Sequence, residues 1–160
     1  MSPNPLSVHI YLGVSVSYAI GLALALVTAL FVRLAGLDRD RAVYPTVLIV
    51  VACYYVLFAA IGASGHVVLL ESVTMTLFAL AAVVGFNRNL WLVVVAIAAH
   101  GVFDSVHHRL VANPGVPPWW PAFCLAFDVA FAGCLAWLLK RGAIPSRRVT
   151  GLPQRTPTTA

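Results

Sequence analysis

Five long stretches of the chain are nearly free of charge, and short polar breaks separate them. They run from Val8 to Leu34, Val43 to Ala63, His66 to Phe86, Leu90 to Leu110 and Trp120 to Leu139. Each approaches or exceeds the ~20 apolar residues that a helix needs to cross a hydrocarbon layer at ~1.5 Å per residue. The pattern predicts an all-α fold, a polytopic bundle of five transmembrane helices over residues 1–142. The fourth stretch is the least apolar at its end, where it closes on GVFDSVHHRL. No basic region precedes the first stretch, which is also too long for a signal core, so it reads as a retained helix.

Composition identifies the solvent. Hydrophobic residues make up 61% of the 160 and charged residues only 9%, where an ordinary soluble domain carries about 25% charge. So little charge cannot clothe a globule in water; the partner is a lipid bilayer. The length suits one domain. The net charge of +5 does not point to nucleic acid, because topology accounts for it. Nine of the ten basic residues (Arg33, Arg39, Arg41, Arg88, Lys140, Arg141, Arg147, Arg148 and Arg155) fall on one side of the five spans, and only Arg109 on the other. Cytoplasmic enrichment of Lys and Arg then predicts an outer N-terminus and a cytoplasmic C-terminus. On that orientation Trp119 and Trp120 mark the outer interface, and Trp91 and Trp137 the inner one. Residues 143–160, rich in Pro, Thr and Arg, read as a disordered cytoplasmic tail. The loop Asn113–Pro121 holds four prolines and reads as a stiff outer cap. Cys53, Cys124 and Cys134 show no CxxC spacing, so they read as buried small hydrophobes and not as a disulfide framework.

The acidic residues carry the chemistry. Only five occur. Asp38 and Asp40 lie among arginines in the first inner loop, where a solvated surface accounts for them. Glu71, Asp104 and Asp128 lie inside spans. Helical rise places Glu71 ~8 Å, Asp104 ~9 Å, Asp128 ~12 Å and His100 ~15 Å below the outer ends of their helices. Three carboxylates from three helices thus reach similar depth. At ~100° per residue, His100, Asp104, His107 and His108 share an arc of ~100°. Cys124 and Asp128 share one face of the fifth helix, and Tyr54 and Tyr55 reach the same half of the bilayer.

An ionised side chain at mid-bilayer costs ~2.5–3.5 kcal/mol or more unless paired or hydrated. These groups therefore face one another or a wet cavity. The catalytic candidates are Glu71, Asp104 and Asp128. The metal-ligand candidates are His100, Asp104, His107 and His108, with i, i+4, i+7 presentation, and zinc or iron is the ion that such a set suits. Two other readings stand beside this one. Asp104 paired with His107 or His108, and Glu71 with His66 or His100, would hold helices together and bind nothing. The same groups would also serve a proton or solute path. His9 and His66 read as interfacial residues. A b-type haem is disfavoured, because His100 has no histidine partner at matched depth.

The segment His100-Gly-Val-Phe-Asp104-Ser-Val-His107-His108 is followed by Asn113-Pro and then by Pro121-Ala-Phe-Cys124 with Asp128. It resembles the pattern of small bacterial and fungal integral membrane proteins grouped as domain-of-unknown-function family 6010. That pattern joins His-Gly, an aromatic, Asp and His-His to a later Cys with an Asp four residues on. Glu71 answers to an acidic residue in the preceding helix. The resemblance covers residues 66–135, and the first two helices share only hydrophobicity. It implies a site in these helices without naming its chemistry.

Two functional classes follow. One is a metal-assisted or acid–base enzyme, hydrolase-like or isomerase-like, acting on a lipid-like or small substrate. The other is a non-enzymatic carrier of an ion, proton or small solute, or an accessory subunit held by buried charge pairs; oligomerisation is open to either. No GxSxG elbow, phosphate loop or dinucleotide fingerprint occurs, which disfavours those enzyme classes. The basic bias makes a direct prediction. Reporter fusions at the two ends should read on opposite sides of the membrane, with the C-terminal fusion cytoplasmic; an outward tail would reverse every depth given above.

Overall fold

A computed structural model gives the fold and describes residues 5–39 and 41–144, with side chains from residue 13 onward. Five helices form, α1 (Pro5–Leu34), α2 (Val43–Gly62), α3 (Gly65–Arg88), α4 (Leu90–Leu110) and α5 (Trp120–Lys140). No strand occurs among the described residues. Each helix is long and apolar enough to cross a membrane. The expected spans hold to within three residues at every end.

The partition of side chains is the reverse of a soluble protein's. Leu69, Leu77 and Val95 are each more than 60% exposed, while Glu71, His100, Asp104, His107 and Asp128 are 2% exposed or less. Apolar surface of that extent needs lipid to cover it, and the buried polar groups need one another. The chain is built as a multi-pass membrane protein.

α5 organises the bundle. It packs against α1 on one side and α4 on another, while α3 packs on both α2 and α4. Among the described residues, the buried positions of α1 are Ser17, Gly21, Ala25 and Val32, on the side that packs against α5. Small residues four apart let two backbones approach closely, the usual means of helix association in lipid. At Gly21 the fit is tight enough that a Cβ would run into the Phe123 backbone carbonyl. Asn89 alone separates α3 from α4; its extended backbone turns the chain, and its side chain caps α4 by accepting from Trp91 N at 3.0 Å.

Three details differ from expectation. Asp38 is not solvated surface but 1% exposed. The turn after α1 folds back so that Leu37 N donates to Val32 O, and Arg33 reaches Asp38 at 2.7 Å. Trp120 turns its side chain into the bundle, unlike its neighbour Trp119. It is buried against Tyr54, Phe58 and Phe123, whereas Trp119 is half exposed. Ile144, assigned to the tail, packs into the main apolar cluster, and Arg33 donates to the neighbouring Ala143 carbonyl at 3.4 Å. Asp40, residues 145–160 and the side chain of His9 lie outside the described residues.

The α1–α5 contact supplies a stability test. Gly21→Val should destabilise the bundle by about 1–3 kcal/mol, the usual range for overpacking. Gly133→Ala on α5 faces open space and should be neutral or stabilising by up to about 1 kcal/mol from helix propensity alone. Thermal unfolding of the two variants in detergent measures the difference.

Candidate functional site

One face of α4 builds most of the site. His100, Asp104 and His107 recur at i, i+4 and i+7, and all three are buried. α5 lies close along this face because residue 101 is glycine; a Cβ there would come within 2.9 Å of Asp128 Cβ. The missing side chain lets Asp128 reach across. Its Oδ2 lies 2.7 Å from His100 Nδ1, and Asp104 Oδ2 lies 3.5 Å from the same nitrogen. Ligand atoms of His100, Asp104 and Asp128 all fall within 4.8 Å of one another.

A second cluster sits two turns along α4, toward the α4–α5 loop. His107 Nε2 lies 2.8 Å from Glu71 Oε1 of α3. Asn113, just beyond α4, donates its amide to the same oxygen at 2.9 Å and to the Tyr55 carbonyl of α2 at 3.1 Å. Its own side-chain oxygen accepts from Gly115 N at 3.2 Å, so the loop is tied to the site by one residue. Tyr55 lies between the clusters, its ring 4.0 Å from His107 and 6.4 Å from His100, centre to centre. Phe78 and Phe103 close the side facing α3. The Tyr55 hydroxyl and the Cys124 thiol lie alongside Asp104.

The acceptors outnumber their partners. Oδ1 of Asp128 and Oε2 of Glu71 are buried without a hydrogen bond, while Asp104 has the Tyr55 hydroxyl, the Cys124 thiol and, at 3.5 Å, His100 Nδ1 around its two oxygens. Three carboxylates face two imidazoles, so the set carries net negative charge whenever all three are ionised, even with both histidines protonated. Burial of uncompensated charge is strongly unfavourable. The cluster therefore calls for protons or a cation. A metal ion ~2.0–2.2 Å from each ligand needs ligand atoms no more than about 4.4 Å apart, so a small contraction of His100, Asp104 and Asp128 would seat one.

The sequence candidates separate into three groups. His100, Asp104 and Asp128 come together. Glu71 and His107 form a pair of their own, with Glu71 turned to His107 and not to the two aspartates. His108 joins neither cluster. It is exposed and lines a cavity of about 850 Å³ beneath the Pro-rich loop, which His107 and Asn113 also reach. At the edge of its arc, ~80° from His100 by helical geometry, its side chain turns away from the bundle. The expected structural pairs do not form either: Asp104 bonds neither His107 nor His108, Glu71 bonds neither His66 nor His100, and His66 is exposed. Asn113 is the site residue that candidate selection missed. An Asn before Pro-Gly already satisfies a turn signal, and that local explanation hides its inward amide.

No family model, no curated protein and no solved structure matches the chain.

Asn113 gives the next test. Asn113→Ala removes a donor from a buried carboxylate and should destabilise by about 1–3 kcal/mol. Asn113→Asp should be worse near neutral pH, where it sets a second carboxylate against Glu71, and should recover as pH falls toward the ordinary carboxylate range near 4 and the pair takes up a proton. Unfolding midpoints across pH check both; an Asp variant with no such pH dependence would show that residue 113 does not contact Glu71.

Proposed function

We propose that this chain is a membrane-embedded enzyme in which His100, Asp104 and Asp128 hold a divalent metal and His107, backed by Glu71, handles a proton. The convergence of His100, Asp104 and Asp128, whose ligand atoms lie within 4.8 Å of one another, supports this reading. Oδ1 of Asp128 adds acceptor capacity left without a hydrogen bond, at a depth where that is costly. Zinc or iron(II) suits one imidazole and two carboxylates, and such an ion supplies Lewis acidity toward a carbonyl or a water.

The protein's own groups do the rest. Without an ion, Asp128 holds the His100 ring through Nδ1 at 2.7 Å, keeping the three side chains converged. Glu71 and Asn113 fix the His107 ring through Nε2, leaving Nδ1 to exchange a proton with a guest. His107 also lines the cavity, so the proton-handling side chain stands between the buried acids and the opening. The substrate is a small or lipid-like molecule admitted at that end. On the positive-inside bias, that end faces outward from a bacterial inner membrane. The resemblance of residues 66–135 to family 6010 falls on the residues of both clusters and names no chemistry for them.

A proton path is the second reading. It is favoured by the two histidine–carboxylate pairs lying two turns apart on one helix with Tyr55 between them.

Metal analysis separates the two. Detergent-purified protein should carry about one zinc or iron per chain, and Asp104→Asn or His100→Gln should abolish it while leaving folding nearly intact. Affinity should fall below about pH 6, because the imidazole must lose its proton to coordinate. Wild-type protein without metal at any pH, but with proton flux in liposomes that His107→Gln stops, would give the result to the second reading.

A further inference from the structure

The cavity under the Pro-rich loop does not end at the polar site. Its Tyr18 wall is shared with a second hollow of about 560 Å³, lined by Ala19 and Leu22 of α1 and by Leu125, Ala126 and Val129 of α5. α1 and α4 each pack on α5. The two hollows meet at Tyr18 and follow one another along α5, which lines the first through Pro121 and Ala122 and the second through Leu125, Ala126 and Val129, so together they make a furrow. Its floor is one helix wide.

The furrow changes character along its length. The deeper hollow is lined by apolar residues apart from Tyr18. The end nearest the site holds His107, His108, Ser105 and Asn113. No acidic residue lines either part. Glu71 is sealed behind His107 and Asn113, and Arg109 is exposed beside His108.

We propose that the furrow binds a single-chain amphiphile with an anionic oxygen head, of which a long-chain fatty carboxylate is the simplest member. The alkyl chain lies over Leu125 and Val129, and the head reaches His107 and His108. Two features select this occupant. A hollow of about 560 Å³ is the size of a single small ligand and has room for one long alkyl chain. Two imidazoles and the absence of a lining acid favour an anionic head over a quaternary ammonium. The placement of the head rests on the reading of His107 as the proton-handling group, and it gives that enzyme a substrate class.

The test measures radiolabelled palmitate binding to the full chain purified in detergent. Saturable binding near one per chain is expected. Ala19→Trp, which fills the furrow from its exposed wall, should weaken it at least tenfold, and His108→Gln about threefold or more. An alkyltrimethylammonium of equal chain length should bind at least tenfold more weakly than palmitate. Equal binding of the two amphiphiles, or palmitate binding indifferent to both substitutions, would overturn the proposal and leave ordinary lipid contact. Disulfide cross-linking of two copies through Ala19→Cys in native membranes would also overturn it, because a second chain would then fill the furrow. Metal content of the same samples keeps the two readings apart. Palmitate binding lost with metal retained sinks this inference alone; metal absent with palmitate still bound at His108 supports it and sinks the metal site.

Discussion

A carboxylate inside a bilayer has few places to go. It must meet a donor, a cation or water, because hydrocarbon offers none of these. Glu71, Asp104 and Asp128 sit on three different helices, so satisfying them fixes the rotation of α3, α4 and α5 together. The apolar residues follow from that choice. With lipid as solvent, a leucine gains little by facing a neighbouring helix over facing an acyl chain, and Leu69, Leu77 and Val95 accordingly remain outside. The bundle is organised around its polar residues, and its hydrophobic residues fill what remains.

Small residues make that arrangement close enough to matter. Gly101 brings α5 against α4 at the level of His100, and Gly21 brings α1 against α5. The first contact positions chemistry; the second leaves α1 touching little else, with a furrow beside it. Structure and proposed function thus diverge at one helix pair. α2 to α5 form the housing of the acids, and α1 shapes the approach to them.

The helices were legible in the sequence because a span of ~20 apolar residues has few alternatives. The three intramembrane acids were legible for the same reason, since their cost in lipid marks them out. The pairing was not. Whether Glu71 meets His100 or His107 depends on helix rotation and axial offset that hydropathy does not encode. His107 and His108 differ by one residue, yet one is buried and the other exposed. Asp38 misled in the opposite direction. Among arginines in a loop it looked solvated, and only the fold-back onto Arg33 shows it to be buried. Asn113 was hidden because a turn already explained it.

The single-residue link at Asn89 has a bearing on how the protein is made. α3 and α4 form a hairpin with almost no slack, and such a hairpin leaves the ribosome before α5 does. Glu71 and His107 both lie within it, so that acid and base can meet during membrane insertion, without waiting for the rest of the chain. Asp104 and His100 share α4 and can reach one another at 3.5 Å, but the closer partner of His100, Asp128 at 2.7 Å, is synthesised later. The order of synthesis thus completes the Glu71–His107 pair before the His100–Asp128 pair.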